Sequence, residues 1–383
     1  MSVRSQGLSV SLYEHRHRAA IARLQRRLWS TDVALNERFF DWRYGAGAPS
    51  RPSLVFLVLD GDEPVAMRAL HDSRWCAGPD GIEMSIYLVD DLVVASEFEG
   101  RGLFTLLDRA VRGELETRGI DFFLGLSAMR ATQHLSLKHG ALAVGPAKPL
   151  GRLPTAVRAL DALRSAAARL PWVWRLAAGT LGRERASGFF ARLDAAMPAR
   201  DPASGVQVSV ARALPAAAIA EFAAKLPHDG RIRRLRDAAY IAWRFRNPLH
   251  EYRCIVAERD GRLAGFLIVE RPLSDLANRR RAHIVDWEVD TPAVREVLLR
   301  FALEAGRPSE LVTWAGSAPA DGRIALSACG FRPIDAEQTA RGLPSILVWP
   351  VVQPPDRGRL RLGTRSLLDS ANWDLRLADT SFV

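Results

Sequence analysis

Two adjacent carboxylates stand in an otherwise apolar run, shortly before a glycine-rich segment. Asp90 and Asp91 interrupt IYLVDDLVVAS, and Gly100 and Gly102 flank Arg101 just before a stretch with helical spacing. A helix N-terminus has unpaired N–H groups and the positive end of the helix dipole, and glycines let a phosphate approach the backbone. The pattern therefore indicates a diphosphate-binding loop next to two candidate bases.

The common phosphate-loop motifs do not fit this segment. A P-loop needs Gly-Lys-Ser/Thr, which is missing, and in a GxGxxG dinucleotide pattern Thr105 would stand at the third glycine. Cys76, Cys254 and Cys329 lie far apart without Cys-x-x-Cys or Cys/His spacing, so no metal site is predicted. A diphosphate remains the ligand that the loop suits best.

The elements that position these residues follow the order ααβββαβαβ. Helical segments over 14–28 and 36–44 precede three β-rich runs, the first two around an Asp60-Gly61 turn and the third leading into the glycine segment. A helix over 103–117, a strand over 121–127, a helix near 129–139 and a final strand follow. This order predicts a mixed α/β layer architecture.

The second half of the chain repeats the first. Four segments recur in register: FDWRY as IAWRF, Asp60-Gly61 as Asp260-Gly261, VDDLV as IVDWEV, and KHGALAV as ACGFRPI. The interval from Asp286 to Gly330 is five residues shorter than that from Asp91 to Gly140, and the missing residues are those of the glycine loop. A loop that one copy lacks is not needed for the fold, so it is expected to bind something.

The loop and its context resemble motif A of the GNAT superfamily of acyl-CoA N-acyltransferases. In that motif a strand ending in Val leads to (Arg/Gln)-x-x-Gly-x-(Gly/Ala), and Glu99 and Phe104 depart from it here. The resemblance covers 10–150 well and 206–350 as a degenerate copy. It implies an acyl-CoA site, with acetyl-CoA as the first candidate, at Val93, Val94, Glu99, Gly100, Arg101, Gly102, Leu103 and Phe104.

The fold implied by the resemblance is α/β (mixed α+β), with two GNAT-like domains that each have a central mixed sheet flanked by helices. We expect a first domain over 1–152 that carries the acyl-CoA loop and a basic helical linker over 153–205. A degenerate second domain over 206–352 and a C-terminal tail over 353–383 complete the chain. The second domain is expected to shape the acceptor cleft.

The activity implied is transfer of an acyl group from acyl-CoA to an amine in a ternary complex, which needs a base for the ammonium proton. Asp90 and Asp91 are the candidates. Successive strand residues point to opposite faces, so only one of them is expected to face the cleft. Asp91 recurs as Asp286 in the copy without a loop, which favours a structural role for Asp91.

The acid for the departing thiolate is less well marked. The family commonly has a Tyr four residues before the glycine of its Gly-Phe ending, and Ser136 stands at that position, where a hydroxyl is a much poorer acid. His134, His139 and Glu83 lie nearby in sequence and are further candidates. Departure of the thiolate without an acid, or protonation by water, also stays open.

Two other functions remain open at this point. One is a non-catalytic GNAT-fold binding protein, and the other is a tRNA-dependent aminoacyl transferase of the type that builds peptidoglycan bridges, which needs no diphosphate loop. The predicted acceptor is a small-molecule amine or amino sugar, and neither its identity nor the acyl length can be derived from the sequence.

Charge adds little to these predictions. The net charge is +10 and the pI about 10.3, but 50 of the 53 basic residues are Arg, which indicates coding bias more than a polyanion partner. A nucleic-acid partner is not expected.

Residues 151–200 carry a net +6 and two Trp that fit packing between domains better than contact with a membrane surface. The few unpaired cysteines and the absence of long apolar runs predict a cytoplasmic protein.

Three aromatic positions are expected to serve packing. Trp42-Arg43 recurs as Trp243-Arg244, and a pair present in both copies favours a structural role. Trp373 is expected to anchor the C-terminal tail. The carboxylate of Val383 has only its terminal position to suggest a catalytic role.

Overall fold

The fold is described from a computed structural model. It describes residues 7–78, 81–127, 130–146, 149–152, 186–279, 281–308, 310–314, 318–334 and 345–380. Most of the predicted linker, 153–185, and Val383 lie outside the described residues, so the linker helices and the terminal carboxylate stay predictions.

In the described part of the chain there are nine α-helices. They are α1 (Arg18–Leu24), α2 (Val33–Tyr44), α3 (Leu103–Thr117), α4 (Arg130–Lys138), α5 (Ala186–Asp194), α6 (Ala216–Lys225), α7 (Ala238–Arg244), α8 (Pro292–Gly306) and α9 (Ala320–Ala328). Helix α3 has the predicted bounds. It buries Leu103, Leu107, Val111 and Leu115, which are spaced four apart and so form one face against the first sheet.

The strands form two large mixed sheets and one small hairpin. They are β1 (Leu8–Leu12), β2 (Leu54–Asp60), β3 (Glu63–Ala77), β4 (Ile82–Val94), β5 (Phe122–Ser127), β6 (Leu142–Pro146), β7 (Pro149–Arg152), β8 (Ala199–Arg200), β9 (Gln207–Val210), β10 (Ile232–Arg234), β11 (His250–Arg259), β12 (Arg262–Pro272), β13 (Arg281–Val289), β14 (Glu310–Trp314), β15 (Arg332–Pro333), β16 (Ser345–Pro350), β17 (Arg361–Leu362), β18 (Arg365–Ser366) and β19 (Trp373–Asp374).

The two sheets repeat the same plan. The first has the order β1–β2–β3–β4–β5–β16–β6, and the second β15–β7–β14–β13–β12–β11–β9–β8. Each contains an antiparallel hairpin, β2–β3 or β11–β12, and a corresponding parallel pair, β4–β5 or β13–β14. The first sheet also includes β10, which pairs with β3 and, in parallel, with β19. The predicted mixed α/β fold with two related sheets is therefore confirmed.

The two sheets exchange a strand. β16 lies between β5 and β6 and pairs with both, although it follows the whole second copy in the chain. β7, which follows β6, lies instead between β14 and β15 of the second sheet. Neither sheet is built from one contiguous segment, because β7 belongs to the predicted first domain, 1–152, and β16 to the predicted second, 206–352, yet each pairs in the other sheet.

The N-terminal region differs from the sequence reading. Leu8–Leu12 is an edge strand that pairs with β2, whereas the sequence predicts the helix over 14–28 as the first element. The predicted helix over 14–28 is divided into a 3₁₀ turn, α1 and a second 3₁₀ turn over Gln25–Arg27. This second turn matters because it directs Gln25 into the protein interior, where it is fully buried.

The repeated Trp-Arg pairs meet where the two copies touch. The rings of Trp42 and Trp243 stack 4.8 Å apart at 13°, and each indole Nε1 donates to the other residue's carbonyl oxygen at 2.8 and 3.0 Å. Trp373 is buried edge-on against Trp75 of the first sheet. The predicted packing roles of the Trp pair and of Trp373 are thus confirmed.

Candidate active site

The glycine loop ends in an open helix N-terminus. Gly100 and Gly102 have φ of 76° and 75°, in the left-handed region that favours glycine, and Gly102 is the N-cap of α3. No described atom lies within 4 Å of the point that a Cβ would occupy at either glycine. Because a glycine cap has no side chain to bind the first N–H groups of α3, these groups have no side-chain cap and can bind an anion.

The charge of Glu99, which departs from the family motif, is offset locally. Arg27 Nη2 lies 2.6 Å from Glu99 Oε1, and Arg27 Nη1 donates to the carbonyl oxygen of Val94. Arg101 stacks on the ring of Phe98, with its guanidinium carbon 4.8 Å from the ring centroid. A carboxylate beside the loop therefore does not leave this helix terminus negative.

A β-bulge in β4 sets the direction of the two acidic side chains. Arg68 of β3 pairs with Leu92 and Ala69 pairs with Asp90, so Asp91 has no residue opposite it, and its φ of 28° is left-handed. Both carboxylates then point toward α1, α2 and the turn between them. The expectation that only one faces a given side is wrong, because the bulge interrupts the alternation.

Asp90 is held by a buried arginine. Arg43 donates to Asp90 Oδ2 from Nε at 3.0 Å and from Nη2 at 2.6 Å, and both side chains are almost completely buried. His71 Nδ1 lies 3.8 Å from the same oxygen. Burial, with Arg43, Arg234 and Arg244 nearby, lowers the pKa of His71 well below 6.5, so His71 is neutral. Asp90 is therefore suited to a positioning role.

Asp91 has different surroundings. Its carboxyl accepts hydrogen bonds from Gln25 Nε2 at 2.6 Å and from Trp29 Nε1 at 2.9 Å, two uncharged donors. Burial and the adjacent Asp90 raise the pKa of Asp91 to about 7, against the smaller opposing effects of Gln25, Arg43 and Trp29. A carboxyl with this pKa can accept a proton near neutral pH, as a general base must.

A cavity opens where β4 and β5 separate. The two strands pair only at Leu88–Leu124 and Val89–Gly125, and beyond these residues they diverge. The space, including its open mouth, is about 580 Å³. It is lined by acidic, apolar and cationic side chains, namely Leu28, Trp29, Arg68, Val89, Asp90, Asp91, Leu92, Phe104, Gly125, Leu126, Thr132, Ser136, Leu347 and Trp349.

The candidate acids are placed unequally. Ser136 is buried in the cavity wall, but its hydroxyl donates to Thr132 O at 2.6 Å. His134 is exposed and does not line the cavity. His139 packs edge-on against Phe104, and Glu83 lies near the start of β4 paired with Arg74 at 3.1 Å. The structure thus brings Ser136 to Asp90 and Asp91, but not His134 or Glu83.

Sequence reasoning missed several residues of the site. The sequence places Gln25 in the predicted helix over 14–28, gives no role to Trp29, and assigns Arg43 to packing. Arg68 carried a signal, since it is one cation within the apolar run VAMRAL. Trp349 carried none, because only the exchange of β16 brings it to this sheet.

The second copy lacks these features. Its register shift leaves Val285 without a partner, so no carboxylate stands at that bulge, and Asp286 instead lies 3.4 Å from Arg236. The gap beyond the β13–β14 pairing is filled by the C-terminal tail. Leu377 and Ala378 pack there in one cluster with Val285 and Trp314. The tail therefore occupies the space that stays open in the first copy.

The described residues contain neither a metal-binding cluster nor a membrane-spanning helix. No group of three or more His, Cys, Asp or Glu in the described part of the chain is arranged to hold a metal ion. No helix within the described ranges is long and apolar enough to cross a membrane.

Comparison with known proteins identifies the fold. No protein-family model and no curated protein sequence matches the chain. A GCN5-related N-acetyltransferase from Anabaena variabilis superposes with TM-score 0.56 at 10% identity, over 90% of this chain and 73% of that one. A tandem GNAT protein from the clavulanic acid biosynthesis pathway superposes with TM-score 0.53 at 13% identity, over 90% of this chain and 99% of that one. A GCN5-related N-acetyltransferase from Kribbella flavida superposes with TM-score 0.52 at 15% identity, over 91% of this chain and 73% of that one. The chain therefore has a tandem GNAT fold, as the resemblance predicted.

Proposed function

We propose that the first copy is an acyl-CoA-dependent N-acyltransferase that acts on a small amine or amino sugar, and that the second copy is non-catalytic. The observation that carries this proposal is the position of Asp91, a buried carboxyl with a pKa of about 7, in the lining of the cavity between β4 and β5. Solved structures of the same fold that are named N-acetyltransferases support it.

The residues of the first copy fit acyl-CoA as a substrate. Gly100 and Gly102 leave the N-terminus of α3 open to a diphosphate, and the cavity between β4 and β5 is lined both by Phe104 in the first turn of α3 and by Asp91. In the proposed reaction the acceptor nitrogen forms an amide bond with the acyl carbon as the C–S bond breaks. The proton of the amine passes to Asp91, and the electron pair of the broken bond leaves on sulfur as a thiolate.

Each polar residue near Asp91 has a role in this scheme. Gln25 and Trp29 orient the carboxyl of Asp91. The charge of Asp90 raises the pKa of Asp91, while Asp90 itself is bound to Arg43 and does not serve as the base. Since Ser136 donates its hydroxyl to a backbone carbonyl, we assign it no part in protonating the thiolate, which takes its proton from water.

Turnover tests the proposal. The purified full-length protein is incubated with acyl-CoA and a panel of amines and amino sugars, and the released thiol is measured. Transfer to at least one amine is expected, and Asp91→Asn should abolish it while leaving the dissociation constant for CoA within about twofold. Binding of CoA without transfer to any amine would favour a non-catalytic GNAT-fold protein, and a requirement for aminoacyl-tRNA would favour the peptidoglycan-bridge type.

A further inference from the structure

Arg68 places a buried guanidinium against the cavity. The residue is 2% exposed, and its guanidinium carbon lies 4.8 Å from the ring centroid of Phe104 and 4.6 Å from that of Trp349. Arg68 Nε and Nη1 have no hydrogen-bond partner among the described residues. A buried donor without an acceptor is costly, so such a group needs a reason to be there.

The charge of Arg68 is only partly compensated. The charged groups that act on it are Asp108 and Arg112, and Arg68 Nη1 lies 3.6 Å from Asp108 Oδ1. Asp108 binds Arg112 more closely, because Arg112 Nε donates to Asp108 Oδ2 at 3.0 Å, and His139 Nδ1 lies 3.9 Å from the same oxygen. One carboxylate thus faces two guanidinium groups. Burial lowers the pKa of Arg68 to about 10, so it is still charged at neutral pH.

The second copy shows that the fold does not require this arginine. Leu267 pairs with Trp287 in β12–β13 as Arg68 pairs with Leu92 in β3–β4. Leu267 is fully buried in an apolar cluster. The fold thus does not need a guanidinium at this place. As with the glycine loop, a feature that the second copy lacks indicates that the first copy uses it to bind a ligand.

A second unpartnered donor lines the same cavity. Trp349 Nε1 is buried and has no hydrogen-bond partner within the described ranges. A guanidinium with free N–H groups and excess positive charge, next to an indole N–H, is complementary to a carboxylate, which accepts up to four hydrogen bonds. Arg68 and Trp349 contact Phe104 of α3, the helix that begins at the glycine loop, whereas Asp90 and Asp91 bind side chains of α2 and of the segment between α1 and α2.

We propose that Arg68 and Trp349 form a subsite for a carboxylate at the far end of the acyl group, so that the donor is the CoA thioester of a short dicarboxylic acid. The inference rests on the proposed function, because it assigns the acyl donor of that same site. Arg68 and Trp349 lie against α3, at whose N-terminus the CoA of the donor is proposed to bind. We therefore assign the carboxylate to the donor rather than to the acceptor.

Binding of two matched thioesters tests the proposal without an acceptor. Calorimetry on the full chain compares succinyl-CoA with n-butyryl-CoA, which has the same number of acyl carbons but no terminal carboxylate. The wild-type protein should bind succinyl-CoA about tenfold tighter or more. Arg68→Leu, which introduces the residue of the second copy, should bring the ratio close to one and change the dissociation constant for free CoA by no more than about twofold.

Trp349→Phe is the second variant, because it keeps an aromatic ring beside Arg68 and removes the pyrrole part of the indole with its N–H. It should reduce the preference for succinyl-CoA by a smaller factor than Arg68→Leu does. Equal affinities of the wild-type protein for the two thioesters would overturn the subsite while leaving the proposed function intact. An equal loss of affinity for both thioesters in Arg68→Leu would also overturn it. Failure of free CoA and both thioesters to bind would refute the proposed function itself.

Discussion

Replacing Asp91 by Asn removes a titrating group with little change of shape. The carboxyl is bonded to Gln25 Nε2 and Trp29 Nε1, and an amide at position 91 can accept only one of these bonds. Gln25 can compensate, because its Oε1 is buried without a partner in the described structure, and rotation of the amide would present this oxygen to the new NH₂. We therefore expect Asp91→Asn to fold.

The effect of this substitution on stability depends on pH. A carboxyl with a pKa of about 7 in the folded state and about 3.9 in the unfolded state stabilises the fold below about pH 4, and this stabilisation is lost as the pH rises through 7. The full change corresponds to about 4 kcal/mol. Relative to wild type, Asp91→Asn should thus gain about 3 kcal/mol in unfolding free energy between about pH 5 and about pH 8.

Denaturant unfolding at several pH values measures this difference, and Glu270→Gln is the matched control. Glu270 is fully buried in the second copy, and burial raises its pKa to about 7 as well. Both substitutions should flatten the dependence of stability on pH, but only Asp91→Asn should abolish acyl transfer. In the wild type, transfer should rise with pH through about 7 as Asp91 ionises. A difference in stability between Asp91→Asn and wild type that does not change with pH would refute the reasoning.

Two further predictions follow from the loop and the exchanged strand. Gly102→Glu should weaken CoA binding by about tenfold or more, because it places a carboxylate where the diphosphate would lie, whereas Gly261→Glu, at a glycine with φ of 72° and equally open surroundings, should not. Calorimetry measures the CoA affinity of both variants. An equal loss of affinity in the two would indicate backbone strain at the substituted glycine rather than repulsion between the introduced carboxylate and the diphosphate. A fragment of residues 1–152 should aggregate in light-scattering measurements, because without β16 the edges of β5 and β6 are unpaired. A soluble, monomeric fragment with native circular dichroism would contradict the structural importance of the exchange.

The local elements of the first copy could be predicted from the sequence, and the reason is periodicity. Leu103, Leu107, Val111 and Leu115 fix helix α3, and Gly102 before them marks its start. The duplication could also be predicted, because Trp42 and Trp243 occupy the same place in the two repeats of the sequence. In the structure the two rings stack on each other. These features depend on nearby residues or on repetition of a pattern.

What the sequence did not show depends on contacts between distant segments. The exchange of β7 and β16 leaves no mark in the hydrophobic pattern, since that pattern indicates a strand but not the sheet that the strand joins. The bulge at Asp91 was hidden because alternation predicts a regular strand, and only the pairing of Arg68 with Leu92 and of Ala69 with Asp90 reveals the extra residue. The tail that fills the gap of the second copy likewise shows no signal beyond Trp373.

The central claim is that one copy binds acyl-CoA and the other does not. The number of CoA molecules bound per full-length chain, measured by calorimetry, tests it most directly. One site per chain is expected, because in the part of the chain that the structure describes the glycine loop and the open gap belong to the first copy, whereas Leu377 and Ala378 fill the gap of the second. Two equivalent sites, or no binding, would contradict it.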